Sequence, residues 1–432
     1  MRVVTTYVLV TGANSGLGFT TCCRLIDEFL DTRPGHESIT LILTTRDSRK
    51  GDSTVSRLQK RADKLPKSKR QDGTTRVSYK SEIVALDSLL SVKRLSKKLL
   101  AELPKLDVVI LNAGCGGWTG VDYWMATQQS MKGFVQSVTW PAFKLANIGV
   151  VTKPQLPNTS TQGTTNTALG EVFCINVFGH YLLSHNLAPL LSKAHHPSGN
   201  RGRIIWLSSI ETEAVIDAFS IDDIQGLASP TPYEISKRLG DVLALTSSLP
   251  ATKPWVDSFL LAPKSVPTPS GEEGIPTTES KPGMYVTHPG ICSTDILPVH
   301  WILNLFKLLT FYIARWLGSP WHTIDAYKGA CAPVWVALSP QAQLDSIEAK
   351  EGPGKWGSST DIWGNERVRR TEVGGWGWGG IVGEEVQRGG RISGAKALTR
   401  EAREEFEVLG RECWRRMEGL REEWEERLDG LD

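Results

Sequence analysis

Tyr233 and Lys237 stand four residues apart in "PYEISKRLGDVLALTSSL", and that spacing puts a phenol and an ammonium on the same face of a helix. An isolated tyrosine has a pKa near 10 and exchanges protons slowly at neutral pH. A neighbouring ammonium favours the phenolate and makes the phenol a stronger acid. Upstream, "RGRIIWLSS" ends on Ser209, whose hydroxyl could bind the reacting oxygen of a carbonyl or alcohol. The three side chains together make an acid–base site for a carbonyl/alcohol pair.

A second constellation lies at the start of the chain. "YVLVTGANSGLGFTTCCRLI" places Gly12, Gly16 and Gly18 between an apolar run and a helix-like stretch, with Ser15 and Leu17 among them. Glycines there permit positive φ and let anionic oxygens approach the amides of a helix N-terminus. Taken alone, such a turn also serves nucleotide-dependent methyltransferases. Its place ahead of "NAG" (Asn112–Gly114), then Ser209, then the Tyr–Lys pair favours a redox cofactor.

These residues need elements to position them. Tyr7–Val10, "SITLILTTR" (Ser38–Arg46), "YKSEIVALD" (Tyr79–Asp87), "KLDVVILNAG" (Lys105–Gly114), "RGRIIWLSS" and "GMYVTHPG" read as six strands, most followed by a helix pattern. Apolar strands alternating with helices predict an α/β fold, a doubly wound parallel sheet covered on both faces. Asn112 and Ser209 then fall at strand ends, where ligands bind in such sheets. The alternation lapses in an insertion over 115–170, carrying Trp118, Trp124 and Trp140, and in a Pro/Ser/Glu/Gly-rich loop over 262–282. Residues 1–340 are expected to form the cofactor-binding domain. Residues 341–432 are expected to form a Trp/Gly-rich segment and a charged helix from about Thr399. Along that helix Phe406, Leu409, Cys413, Met417, Leu420, Trp424 and Leu428 make one apolar stripe. Trp356, Trp363, Trp376 and Trp378 read as packing in preference to a lid.

Net charge is +2, so no global basic field points to nucleic acid. Basic residues between Arg57 and Lys80 read as a solvated helix end and loop. The seven cysteines show no CxxC pair and no regular spacing, which suits buried thiols in a reducing compartment. The eight histidines include no HExxH, so no metal is expected. No charged leader with a cleavage site opens the chain.

The glycine turn, "NAG", the strand-end serine and "YEISK", in that order, resemble the short-chain dehydrogenase/reductase family over roughly residues 7 to 340. The resemblance implies that Gly12, Ser15, Gly16, Leu17 and Gly18 cradle the cofactor pyrophosphate. It places Asp87 near the adenine and makes Asn112 a cofactor contact. Asn176, in "CINVFGHYLL", becomes the asparagine that holds a water beside the lysine, and Ser209, Tyr233 and Lys237 become the catalytic core. Lys237 also binds the nicotinamide ribose, next to Tyr233. Pro289, Gly290, Ile291 and Thr294, in "HPGICSTDI", would flank the nicotinamide. The second strand ends in Arg46, which suits the 2′-phosphate of NADPH better than the ribose hydroxyls of NAD, although Asp47 follows directly.

Departures from the family pattern narrow the resemblance. Ser209 and Tyr233 are 24 positions apart, about twice the usual interval, so the added "ETEAVIDAFSIDDIQG" is expected to wall the substrate site. With "GWTG…VTWPAFK" and "GRECWRRMEGLREEWEERL", it resembles the fungal 3-keto-steroid reductases, relatives of the vertebrate type 7 17β-hydroxysteroid dehydrogenase. That resemblance implies reduction of a 3-keto-sterol to the 3β-alcohol in C-4 demethylation of sterol biosynthesis. It also implies partner enzymes of that pathway and a place on the cytoplasmic face of the endoplasmic reticulum or on lipid droplets. Two other readings are a reductase of another lipophilic carbonyl, such as retinal or a long-chain ketone, and a non-catalytic scaffold. The intact polar set argues against the scaffold.

Leu297–Leu317, "LPVHWILNLFKLLTFYIARWL", bears on the membrane. Its length barely spans a bilayer, and Lys307 at its centre would cost roughly 2.5–3.5 kcal/mol there. His300, Lys307 and Arg315 are spaced to share one face. The stretch therefore reads as a helix lying in the interface with its cations at the headgroups.

Overall fold

The computed structural model describes residues 4–64, 76–156, 168–194, 201–261, 281–293, 301–383 and 390–431. Thr294, His300, residues 262–280 of the Pro/Ser/Glu/Gly loop and part of the basic stretch (65–75) lie outside the described residues. The strands among the described residues are β1 (Val4–Val10), β2 (Glu37–Thr45), β3 (Val77–Ile83), β4 (Val108–Leu111), β5 (Trp118–Val121), β6 (Lys144–Ala146), β7 (Arg203–Leu207), β8 (Gly283–His288), β9 (Lys355–Thr360) and β10 (Glu366–Thr371). Eight of them form one sheet in the order β10-β9-β8-β7-β4-β1-β2-β3, while β5 and β6 pair separately. From β3 across to β9 every neighbour is parallel, and only β10 runs antiparallel to β9.

Alternation along the strands explains the two covered faces. Leu9, Val109, Leu111, Ile204, Trp206 and Val286 point into one core, against the helices Leu89–Glu102, Gly179–Asn186 and Pro232–Thr246. Val8, Val10, Val108, Ile110, Ile205 and Tyr285 point into the other, against Gly16–Thr32 and Cys331–Leu338. A strand buried on both sides has no polar face to show, which is why these segments read as continuous apolar runs. The chain order reverses between β1 and β4. That switch point opens a crevice at the carboxyl edge of the sheet, bordered by Gly12 and Asn112.

The sheet does not stop at residue 340. β9 pairs with β8, Val286 opposite Lys355 and His288 opposite Gly357, and β10 follows. The C-terminal helix Arg400–Leu428 then packs as a third layer on the helix Pro232–Thr246. The crossing is close: a β-carbon on Gly410 would come within 2.5 Å of Thr246 Cγ2. Trp414 is buried and donates its indole N–H to Leu243 O at 3.2 Å, and Tyr181 donates its hydroxyl to Glu418 at 2.7 Å. Burying each large apolar side chain contributes about 1.5–3 kcal/mol, so the stripe Phe406, Cys413, Met417 and Trp424 is a substantial anchor. Trp356, Trp376 and Trp378 are buried as packing, whereas Trp363 is 83% exposed. The insertion after β4 folds as the β5–β6 pair joined by the helices Tyr123–Lys132 and Phe134–Thr139.

Candidate active site

The glycine turn follows β1 directly. Gly12 and Gly16 have φ of +65° and +51°, and a β-carbon on Gly18 would sit 2.3 Å from Gly12 O. Asn112 locks this shape from the end of β4, donating Nδ2 to Thr11 O at 2.8 Å and to Gly12 O at 3.3 Å. Ser15 is the N-cap of Gly16–Thr32, yet its side chain makes no capping bond. Bare backbone, positive φ and a helix N-terminus without a side-chain cap fit a pyrophosphate. Leu17 is half-buried behind the turn.

Arg46 is exposed at the end of β2. Asp47 is engaged elsewhere: its carboxylate caps the helix Ser48–Ala62, accepting from Lys50 N at 3.1 Å. The competing acidic residue is therefore committed to the helix, while Arg46 faces solvent beside the crevice. Arg57, which sequence reasoning missed, donates to Asn14 O at 3.1 Å and lies 3.7 Å over the Phe19 ring, bracing the turn from that helix. Asp87 follows β3, and its carbonyl accepts Gln155 Nε2 at 2.8 Å. At the end of β8, Gly290 has φ +68°, and a β-carbon there would meet Trp321 O at 2.4 Å. Thr323 donates to Pro289 O at 2.9 Å, and Ile291 exchanges backbone bonds with Trp321 and Ile324. Ile324 holds φ +65°, an unfavourable conformation for a β-branched residue, so this clamp is over-determined by its surroundings.

Asn176 lies in a single π-turn, Cys174–Phe178. Its Oδ1 accepts Cys115 N at 2.8 Å and its Nδ2 donates to Ser236 Oγ at 2.9 Å; Ser236 in turn donates to Tyr233 O at 2.6 Å. The helix Pro232–Thr246 is buried throughout its length, fixing Tyr233 and Lys237 between the sheet and the C-terminal helix. Lys237 Nζ lies 5.7 Å from the Tyr233 ring centroid and donates to Leu207 O at 2.7 Å. The structure thus brings Asn112, Asn176, Ser209, Tyr233 and Lys237 to one edge of the sheet.

The electrostatics differ from the expectation in one respect. Burial pushes the Tyr233 phenol well above its ordinary value, Glu211 and Glu234 add to the rise, and a hydrogen bond from Ser209 opposes it. The expected lowering by Lys237 does not govern here, because the ammonium is itself desolvated and turned to the Leu207 carbonyl. Burial lowers Lys237 to about 8, Cys115 and Asp241 oppose that fall, and Lys355 adds to it. A neutral phenol is the form that donates a proton to a ketone, so this environment suits reduction.

No protein-family model matches the chain. Among curated proteins, it is 49% identical over 435 residues to the 3-keto-steroid reductase erg27 of Aspergillus fumigatus, covering 98% of this chain and 95% of that one. The chain belongs to the 3-keto-steroid reductase family. Its similarity to the 3-keto-steroid reductase ERG27 of Gibberella zeae is 38% over 97% of this chain and 94% of the relative, and to erg27 of Schizosaccharomyces pombe 32% over 85% and 90%. Within the short-chain dehydrogenase/reductases, this branch accounts for a match that includes the insertion and the C-terminal layer. As a member of the family, the chain is an NADP(H)-dependent oxidoreductase.

Two parts of the site were given no role in it by the sequence reading, although "GWTG…VTWPAFK" contains Trp118 and Lys144. The β5–β6 insertion carries Trp118 and Lys144 onto the site. Lys144 Nζ lies 3.8 Å from the Trp118 ring centroid, bonds Glu234 at 2.7 Å and also bonds Glu211. From the other side, Lys355 of β9 forms a wholly buried pair with Asp241 at 2.6 Å. Removing one partner of such a pair costs roughly 3–5 kcal/mol.

The helix Trp301–Trp316 corrects the reading of its cations. Arg315 does not face outward: it is buried, donating to His322 O at 2.9 Å and Thr323 O at 2.7 Å. Those carbonyls belong to the turn behind the Pro289–Ile291 segment and need a donor, which is why the guanidinium turns inward. The exposed face is instead Leu305, Phe306, Leu309, Tyr312 and Trp316. Among the described residues, no helix is long and apolar enough to cross a membrane.

Proposed function

We propose that this chain reduces a 3-keto-sterol to the 3β-hydroxysterol with NADPH, in the C-4 demethylation stage of sterol biosynthesis. The observation that carries the reading is 49% identity over nearly the whole chain to a 3-keto-steroid reductase, on a fold that keeps the polar set together. NADPH, when bound, would supply a hydride to the carbonyl carbon. Ser209 holds the ketone oxygen, and Tyr233 donates its proton to that oxygen as the alcohol forms. Lys237 binds the nicotinamide ribose beside Tyr233. Asn176 anchors the strand-four end and the Tyr233 backbone on opposite sides of the site. Arg46 takes the 2′-phosphate, and Gly12, Ser15, Gly16, Leu17 and Gly18 take the pyrophosphate. Asp87 would contact the adenine, and Pro289, Gly290 and Ile291 would flank the nicotinamide.

The same reading places the protein on the cytoplasmic face of the endoplasmic reticulum or on lipid droplets as a monotopic enzyme, beside the other enzymes of C-4 demethylation. The outward apolar face of Trp301–Trp316 supports it, since a sterol nearly insoluble in water has to be collected from lipid. The test is NADPH oxidation by the purified protein against a panel of ketones. Turnover confined to 3-keto-sterols is the expected result; equal turnover of retinal or long-chain ketones would assign a different substrate.

A further inference from the structure

The backbone of Ser209 is held by a residue 146 positions later. Lys355, the first residue of β9, donates from Nζ to Ser209 O at 2.6 Å, Thr212 Oγ1 at 2.9 Å and Asp241 Oδ2 at 2.6 Å. These three bonds use every proton of the ammonium. Asp241 sits four residues beyond Lys237, as Lys237 sits four beyond Tyr233, so the three occupy one face of the same helix. A single buried cation therefore ties the far end of that face to the backbone of the serine.

We propose that Lys355 and Asp241 are a positioning pair, fixing Ser209 against the Tyr233–Lys237 helix and balancing the charge around Lys237. The inference rests on the functional reading above.

The geometry gives the pair more to do than fill space. An apolar pair of similar volume would pack the same region, but it would leave the Ser209 carbonyl without its donor. Ser209 is also the first residue of the lengthened segment before Tyr233, where a chain twice the usual length needs an anchor that the shorter form does not. Its hydroxyl accepts Glu211 N at 3.2 Å, so the direction of Oγ follows the backbone that Lys355 holds.

The charges around the pair set the sign of the test. Lys237 faces Cys115, Asp241 and Lys355, with the Tyr233 ring and the neutral, buried His180 beside it. Lys355 faces Asp241, Glu213, His288 and Lys237. Lys355 disfavours the charged form of Lys237 and Asp241 favours it, so the intact pair is close to neutral in effect. Asp241→Asn leaves the Lys355 cation unopposed, and Lys237 then loses its proton at lower pH. Lys355→Met leaves the Asp241 anion unopposed, and Lys237 keeps its proton to higher pH.

The experiment is the pH profile of kcat and KM for NADPH-dependent ketone reduction, from neutral to alkaline pH, in wild type and both variants. The upper limb is expected to move down by roughly one pH unit in Asp241→Asn and up by about as much in Lys355→Met. In both, kcat falls about tenfold with little change in KM, because misplacement of a catalytic group costs turnover more than affinity. The double variant Lys355→Met/Asp241→Leu removes both charges and guards against a failure to fold. Its limb returns to the wild-type position, while kcat stays low for want of a donor to Ser209 O. Limbs that move together or not at all, or a double variant with wild-type kcat, overturn the proposal. A wild-type protein that reduces no ketone overturns the functional reading instead, and the pH dependence of NADPH binding by fluorescence then makes the same comparison for the pair.

Discussion

The ring of Trp118 lies 4.6 Å, centroid to centroid, from the ring of Tyr233, tilted by 57°. Trp118 belongs to the β5–β6 insertion, so a segment that interrupts the βα alternation ends up against Tyr233. Lys144, from the other strand of the same pair, stacks on Trp118 and bridges Glu211 and Glu234, which flank Tyr233. The insertion is therefore a wall of the site, packed directly against the buried phenol.

Trp118→Ala should weaken the hold on the sterol more than it slows chemistry. Losing one aromatic wall removes roughly 1.5 kcal/mol of apolar contact or more, equivalent to about tenfold in KM. Steady-state kinetics separate the two effects: an unchanged KM would mean that the ring shields Tyr233 without touching substrate.

Tyr233→Phe should lower turnover by roughly 100-fold or more, the usual scale of lost acid catalysis, with NADPH affinity close to wild type. Rapid-mixing turnover and a cofactor titration measure the two quantities. Comparable turnover in the variant would sink the assignment of the proton donor.

The legible parts of the site were local. The Tyr233–Lys237 spacing and the glycine turn each lie within a few residues, and the interior parallel strands β1, β4 and β7 announced themselves as apolar runs. β9 did not. "KWGSST" has no β-branched apolar run, and every one of its side chains is nonetheless buried. Its polar atoms are satisfied at long range: Ser358 donates to Gly329 O at 2.7 Å and accepts Ala332 N at 2.8 Å, while Lys355 finds Asp241. Hydropathy assigns such residues to solvent because their partners are distant in sequence. Lys144 was hidden by the same rule, with its partners Glu211 and Glu234 far along the chain, whereas Arg315 is buried on nearby carbonyls, His322 O and Thr323 O, that no periodicity encodes.

Arg46→Ala should cost at least about tenfold in the ratio of kcat/KM for NADPH over NADH, the scale of a lost charge-assisted contact of roughly 1.5–3 kcal/mol. Asp47 gives the prediction its control. Because its carboxylate caps the helix Ser48–Ala62, Asp47→Ala should lower thermal stability and leave the cofactor ratio in place. A ratio unchanged in Arg46→Ala would move the 2′-phosphate contact to another residue.

The helix Trp301–Trp316 gives the last prediction. Leu305, Phe306 and Trp316 are 58%, 62% and 64% exposed, and with Leu309 and Tyr312 they repeat at helical spacing on one side. The helix is tied down by Arg315 on the His322 and Thr323 carbonyls, so the apolar face cannot roll inward without breaking both bonds. A contiguous apolar face of this kind normally marks a contact with a partner or a membrane. Its anchoring turn leads straight to the Pro289–Ile291 edge of the site, which suits delivery of a sterol from lipid. Leu305→Glu/Phe306→Glu places two carboxylates where acyl chains would be. The variant should shift from the membrane fraction to the supernatant and lose activity on sterol presented in vesicles. It should keep turnover on sterol presented in detergent, because neither side chain touches the catalytic residues. A variant that sediments with membranes as completely as wild type would show that another segment holds the protein there.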